Sequence, residues 1–291
     1  MKLLFKERLA QYRAQVDEYI NTISWNEKVL DKSMAYSLTG SGKRIRPVLA
    51  LAAAEAMGAN PEHILPAAAA LEMIHTYSLI HDDLPAMDDD DYRRGRLSNH
   101  KVFGEGIAIL SGDALLTYAF ELLAAPMQVE PRRQLQVIKE VADAAGRQGM
   151  VLGQVLDLEG EGKALGLQEI EQIHRHKTGA LLRVSVRLGG ILAGGSEEDI
   201  QALSRYAAAL GLAFQIKDDI LDLESDSLTL GKPIGSDLKR DKATYPSLLG
   251  LSGAKAELAA KIQEAIDALQ LLGERGRFLR DLADYIQARQ H

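Results

Sequence analysis

Four stretches of this chain, residues 66–83, 145–158, 178–193 and 206–221, are apolar over most of a helical circumference. Helices of that kind are usually enclosed by other helices. This favours an all-α bundle, and it makes the few polar residues in those stretches conspicuous. A buried charge is costly unless it is paired or bound to metal. Residues near 44–58, 62–84, 106–125, 131–159, 168–193, 197–224, 240–250, 253–270 and 275–289 carry apolar side chains at helical spacing. Breaks fall at Gly58-Ala59-Asn60-Pro61, Pro126, Gly160-Glu161-Gly162, Gly194-Gly195-Ser196 and Gly231-Lys232-Pro233. Ser196-Glu197-Glu198-Asp199 starts a helix well, with a capping hydroxyl and acids that complement the helix dipole. No alternating apolar/polar run of convincing length argues for a sheet. Ala and Leu recur while aromatics make up 5%, which favours helices. With no repeat, low-complexity tract or long linker, the expectation is one all-α domain over residues 1–291.

Cysteine is absent, so disulfides, thiolate metal sites and thiol nucleophiles are excluded. The net charge of -7 argues against a nucleic-acid partner, although a local basic site remains open. The N-terminus, Met1-Lys2-Leu3-Leu4-Phe5-Lys6-Glu7-Arg8, is charged from the start and reads as a helix rather than a signal peptide. No apolar stretch is long enough to cross a bilayer without a charge, so a cytoplasmic protein without a stable membrane anchor is expected.

Two acidic clusters each close an apolar helical run. Asp218, Asp219 and Asp222 follow Leu210-Gly211-Leu212-Ala213-Phe214-Gln215-Ile216-Lys217, and positions 218 and 222 share a helix face. Like charges so placed repel. A hard cation would relieve them, and Mg²⁺ typically binds through one or two carboxylates plus substrate phosphates. Read alone, the cluster is equally compatible with a solvated acidic helix end. The other cluster, Asp82-Asp83-Leu84-Pro85-Ala86-Met87-Asp88, follows Leu71-Glu72-Met73-Ile74-His75-Thr76-Tyr77-Ser78-Leu79-Ile80-His81. Pro85 should disturb the helix beyond Asp83, letting Asp88 bend back towards Asp82. Part of Asp88-Asp89-Asp90-Asp91 reads as a solvated loop, and it lacks the spacing of a calcium-binding loop.

Basic residues accompany both clusters: Gly42-Lys43-Arg44-Ile45-Arg46-Pro47, Arg93-Arg94-Gly95, Lys177-Thr178-Gly179 and Lys232. Arg forks suit phosphate oxygens and Lys supplies a point charge. Any one of them is explained by surface charge; together they suggest a polyphosphate ligand.

These motifs, with Gly153-Gln154 and Asp157, Phe214-Gln215-Ile216-Lys217-Asp218-Asp219 and Asp241-Lys242-Ala243-Thr244-Tyr245-Pro246, resemble the trans-isoprenyl diphosphate synthases, bacterial farnesyl type. The resemblance runs from about Gly40 to the C-terminus. It implies a bundle of about ten or more helices around a central cavity. By that resemblance Asp82, Asp88 and Asp218 would bind metal, with Asp83, Asp219 and Asp222 as supporting acids. Arg93, Lys177, Thr178, Gln215, Lys232 and Lys242 would hold the allylic diphosphate, with Lys177, Thr178 and Gln215 forming its catalytic wall. Lys43, Arg46, His75 and Arg94 would hold isopentenyl diphosphate, although His75 alone reads as an ordinary helix histidine. The implied cofactor is Mg²⁺, about three ions per active site, with Mn²⁺ able to substitute. The implied assembly is a homodimer. Ser41 stands where the family usually has a second glycine, and Leu97-Ser98 where it commonly has Pro-Thr. Only local loop changes are expected from either.

The implied reaction is ionisation of the allylic diphosphate, condensation with isopentenyl diphosphate and proton loss. Tyr77 and Ser78 lie below Asp82 on the same helix, Tyr77 about 7.5 Å deeper. An aromatic at the Tyr77 position implies a C15 product, and ordinary core packing is the alternative. Geranyl and geranylgeranyl diphosphate synthases are the nearest rivals. A terpene cyclase fits less well, because Asp218-Asp219-Ile220-Leu221-Asp222 lacks the Asn/Asp-Ser/Thr-Glu pattern. A non-catalytic synthase subunit would be expected to have lost aspartates from one cluster.

Overall fold

A computed structural model of the chain describes residues 2–224 and 243–290. The polypeptide enters through α1 (Lys2–Asn21), α2 (Val29–Leu38) and α3 (Ile45–Ala56). A 3₁₀ turn, Pro61–Ile64, leads into α4 (Leu65–Asp82). A small hairpin, β1 (Tyr92–Arg93) and β2 (Arg96–Leu97), separates α4 from α5 (Asn99–Phe103) and α6 (Glu105–Ala124). Then come α7 (Pro131–Ala145), α8 (Met150–Gly160), α9 (Leu167–His174), a π turn (Arg175–Gly179), α10 (Ala180–Leu192) and α11 (Glu197–Glu224). The C-terminal part is α12 (Tyr245–Ala268), a 3₁₀ turn (Gln270–Gly276) and α13 (Arg277–Ala288).

The expected enclosure is found for three of the four apolar stretches. Residues Ala67 to Ile74 of α4 are all buried, as is α10 from Leu188 to Leu192 and α11 from Ala209 to Ala213. The main packing pairs are α4 with α6, α3 with α10, α10 with α11, and α11 with α12. Glycines set the closest approaches. A Cβ on Gly189 would collide with the carbonyl oxygen of Ala50, so α10 and α3 meet backbone to backbone.

The fourth stretch, 145–158, departs from expectation. A continuous helix over 131–159 is expected, but the chain breaks between α7 and α8 at Gly146–Gly149. A Cβ on Gly149 would collide with the carbonyl oxygen of Ala144. The break directs α8 onto the π turn and α9 instead of the core. Only Met150 and Gly153 of α8 are buried, and Val151, Val155 and Leu158 face outward.

Other differences are smaller. The two expected helices at 240–250 and 253–270 form one run from Tyr245, kinked at Gly250 (φ 70°, ψ 162°); residues 240–242 lie outside the described residues. The hairpin is too short to leave an alternating pattern. Its turn residues Arg94 and Gly95 both have positive φ, 55° and 76°, as a two-residue hairpin matched to strand twist requires. The Ser196 cap is present: Asp199 N–H donates to Ser196 Oγ at 3.2 Å. By length and apolar composition alone, α6 could cross a membrane. Its buried side, with Leu115, Ala119, Leu122 and Leu123, instead packs into the core cluster.

Candidate active site

Helix α4 stops where the first acidic cluster begins. Asp83 N–H still reaches the Leu79 carbonyl (3.1 Å), after which the chain coils back on itself. Asp88 N–H donates to the carbonyl of Asp82 at 2.8 Å, and Asp89 turns the chain with φ 49°. Asp88 is thus folded back to Asp82, as Pro85 suggested. Burial raises the Asp82 carboxyl to about 6; Asp88 and Asp83 push in the same direction, while Lys177 and Arg93 oppose.

Helix α8 and the π turn meet this cluster from the side. Gly153 allows the contact, since a Cβ there would strike the backbone of Lys177. With the two elements in contact, Gln154 Nε2 donates to Asp82 Oδ1, and Lys177 Nζ donates to Asp157 Oδ2 at 2.7 Å. A π turn widens one helical turn and is frequent at functional sites. Here it carries Lys177 and Thr178.

Asp83 turns to the hairpin. It is 2% exposed and is held by Arg93, whose Nε donates at 2.9 Å; Arg93 Nη2 also reaches Asp90 at 3.2 Å. Arg93 is therefore anchored to the first cluster by the acid beside Asp82. The hairpin turn places the next residue, Arg94, at a different cavity.

That cavity, of about 540 Å³, is lined by Lys43, Arg46, His75, Arg94, Thr178, Phe214, Gln215 and Asp218, among others. The structure so gathers all four residues expected to hold isopentenyl diphosphate, together with three from the expected allylic and metal-binding wall. Its electrostatics are those of a cation cluster short of anions. Arg46 is pushed down to about 10 by burial, with Arg94 adding repulsion and Glu72 and Asp218 opposing, and its buried Nε has no hydrogen-bond partner. Burial, Arg289 and other cations lower Lys43, with Asp218 opposing. His75 is held well below its usual range by burial and by Arg46, Arg94, Arg93 and Arg44, so it is neutral near pH 7. A diphosphate would supply the missing negative charge and accept from these donors.

Asp218 closes the cavity from α11. Its side chain keeps 42% of its surface open, yet the surrounding protein raises its carboxyl above the ordinary range, partly opposed by Arg289 and Lys43. Asp219, 7% exposed, points elsewhere: it accepts from Tyr245 N–H at 2.9 Å and ties the start of α12 to α11. Asp222, half-buried, lies one turn beyond Asp218. Gln215 lines both the main cavity and a smaller one containing Asp157, His174, Lys177 and Asp219. Tyr77 is 7% exposed and meets His81 edge-on at 5.7 Å; burial and Asp82 raise its hydroxyl to about 12. Ser78 Oγ donates back to the His75 carbonyl at 2.9 Å. Lys232 and Lys242 lie outside the described residues.

Several contributors are not evident from motif reading. Gln154 touches Asp82, Asp157 holds Lys177, and Arg289, almost the last residue, ion-pairs with Asp218. Gly153-Gln154 and Asp157 do stand out as a pattern, but nothing in their spacing names their partners. Among the described residues, no three His, Asp or Glu side chains already form a metal-binding group. That suits Mg²⁺, which takes only one or two protein carboxylates and completes its shell from water and substrate phosphate. Asp82 and Asp88, crowded and oxygen-only, fit such an ion.

A family model for polyprenyl synthetase matches residues 27–271. The chain belongs to the polyprenyl synthetase family. The chain is 51% identical over 278 residues to a farnesyl diphosphate synthase of Geobacillus stearothermophilus, covering 95% of this chain and 93% of that one. It is 50% identical to the large subunit 1 of a chloroplastic heterodimeric geranylgeranyl pyrophosphate synthase of Arabidopsis thaliana, covering 90% and 72%. A solved FPP/GFPP synthase of Zymomonas mobilis superposes with a TM-score of 0.88 at 36% identity, covering 99% of this chain and all of that one. Family members thus surround the chain with this fold and with products of more than one length.

Proposed function

We infer that the chain is a farnesyl diphosphate synthase that condenses isopentenyl diphosphate with dimethylallyl and then geranyl diphosphate. The observation that carries this is the single cavity joining Lys43, Arg46, His75 and Arg94 to Thr178, Gln215 and Asp218. Its cationic side suits one diphosphate. Its acidic side, with Asp82 at the end of α4 and Asp88 in the turn after it, suits a metal-bound one.

Lys43, Arg46 and Arg94 hold the diphosphate of isopentenyl diphosphate by charge, and neutral His75 donates or accepts one hydrogen bond. Arg93, Lys177, Thr178 and Gln215 orient the allylic diphosphate, with Lys232 and Lys242 as further cations. Asp82, Asp88 and Asp218 would hold Mg²⁺, about three ions, with Asp83, Asp219 and Asp222 supporting. When bound, the metal neutralises charge developing on the departing diphosphate. The enclosed walls exclude water from the allylic cation, which the double bond of isopentenyl diphosphate attacks. The released diphosphate takes the proton lost on condensation, as the family resemblance implies.

We also assign a cytoplasmic homodimer. Val102 of α5 and Ile109 and Leu110 of α6 are exposed apolar side chains of the kind a second copy would cover.

The test is incubation with isopentenyl diphosphate, each allylic starter and Mg²⁺, followed by sizing of the products. Consumption of dimethylallyl and geranyl diphosphate, ending at C15, is expected. Chains extended beyond C15 would favour the geranylgeranyl reading, which the similarity to the plant subunit keeps open. Absence of condensation would overturn the assignment.

A further inference from the structure

Arg44 sits in the middle of the Gly42-Lys43-Arg44-Ile45-Arg46 motif and at the wall of the cavity, but its hydrogen bonds go to protein. It caps α3 in the left-handed conformation (φ 49°, ψ 32°) and is 4% exposed. Its guanidinium is spent on protein. Nε donates to Asp17 of α1 and Nη1 to Glu72 of α4, each at 2.8 Å. Nη2 donates to the carbonyls of Leu38 and Gly40, each at 3.0 Å. Beside it, Arg13 Nε of α1 donates to the carbonyl of Lys43 at 3.0 Å.

The consequence is geometric. One side chain ties the end of α2, the loop before α3, and α4 one turn before His75. A left-handed backbone at a non-glycine residue persists only where its surroundings enforce it. That backbone sets the directions in which Lys43 and Arg46 leave the chain. The loop is also packed tightly on the cavity side: a Cβ on Gly42 would come within 2.7 Å of Arg94 Nη1. Three mutually repelling cations need such external restraint to stay converged.

We propose that α1 forms the outer clamp of the isopentenyl diphosphate subsite, with Asp17 acting through Arg44 and Arg13 through the Lys43 carbonyl as positioning residues for Lys43 and Arg46. Neither α1 residue touches the ligand. The proposal rests on the assignment of that cavity above.

Asp17→Asn and Arg13→Gln are the informative variants, because both residues are partly exposed and their loss leaves the core intact. Two readouts separate the clamp from the overall function. The first is calorimetric binding of inorganic pyrophosphate in the presence of a metal chelator, which removes metal-bridged binding at the acidic side. Each variant is expected to weaken binding about fivefold to tenfold, the effect of losing one partly exposed hydrogen bond. The second is steady-state kinetics. KM for isopentenyl diphosphate should rise by a similar factor, with KM for geranyl diphosphate and kcat within about twofold of wild type. Unchanged pyrophosphate affinity overturns the clamp. So does an equal rise in both KM values together with a lowered melting temperature, which marks general destabilisation. A wild-type protein that binds pyrophosphate but condenses nothing would remove the enzymatic assignment and leave the clamp to be decided by the binding data.

Discussion

Asp82 illustrates how one carboxylate can serve a site at the expense of the fold. Its carboxyl is raised to about 6 by burial and by Asp88 and Asp83. The unfolded chain would hold it near the ordinary value, so ionised Asp82 destabilises the native state at neutral pH. The penalty is full above about pH 6, shrinks below it, and vanishes only beneath the ordinary aspartate range, where both states are protonated. Asp82→Asn should therefore stabilise the chelator-treated protein at pH 7 by about 1–2 kcal/mol, and much less at pH 4. The same variant should abolish turnover. Urea unfolding at the two pH values checks the first part; an unstabilised variant at pH 7 would mean that Gln154 and Lys177 already compensate the charge. Tyr77 carries a second expectation. It is buried on the α4 segment leading to Asp82, so Tyr77→Ala should open space and lengthen the product beyond C15. Unchanged product length on chromatography would assign Tyr77 to the core alone. The acids and cations of the site were legible as residues because charge is conspicuous in apolar helices. Their partners were not. Asp83 with Arg93, and Asp219 with Tyr245 N–H, join positions ten and twenty-six residues apart, which no local pattern encodes.

Among the elements, α4, α10 and α11 were readable because helical periodicity is a local property. The failure at 131–159 has a physical reason too. Gly146 and Gly149 sit among good helix formers, and two glycines in a long periodic run cost a helix little enough that periodicity overrides them. In the broken conformation the carbonyl of Ala144 leaves no room for a Cβ at 149, so the break requires glycine there. The break matters because it lets α8 approach the π turn. Gly153→Ala tests that contact. Its methyl would strike the Lys177 backbone, so α8 must shift, and both Gln154 and Asp157 lose their partners. Destabilisation of about 1–3 kcal/mol is expected, as for overpacking elsewhere. KM for the allylic substrate should rise more than KM for isopentenyl diphosphate, since Lys177 lies on the allylic side. Equal effects on both substrates would show that the π turn holds its shape without α8.

At the scale of the whole molecule, the two ends of the chain converge on one cavity. Helix α1 clamps the loop that bears Lys43, and Arg289, just past α13, reaches Asp218. Arg289 is 5% exposed at its side chain, donates to the Phe214 carbonyl at 3.2 Å and lies 4.2 Å above the Phe214 ring. It neutralises Asp218, which the proposed reaction assigns to Mg²⁺. One carboxylate oxygen cannot serve both cations fully, so arginine and metal compete. Arg289→Ala should then have two opposite effects. Without metal, Asp218 loses its counter-charge, costing about 1–2 kcal/mol at this partly open position. With inorganic pyrophosphate present, Mg²⁺ should raise the melting temperature of the variant at several-fold lower concentration than wild type requires. If the variant instead needs as much Mg²⁺ or more, Arg289 does not compete with the metal. It would then act as a further phosphate ligand in the loaded site.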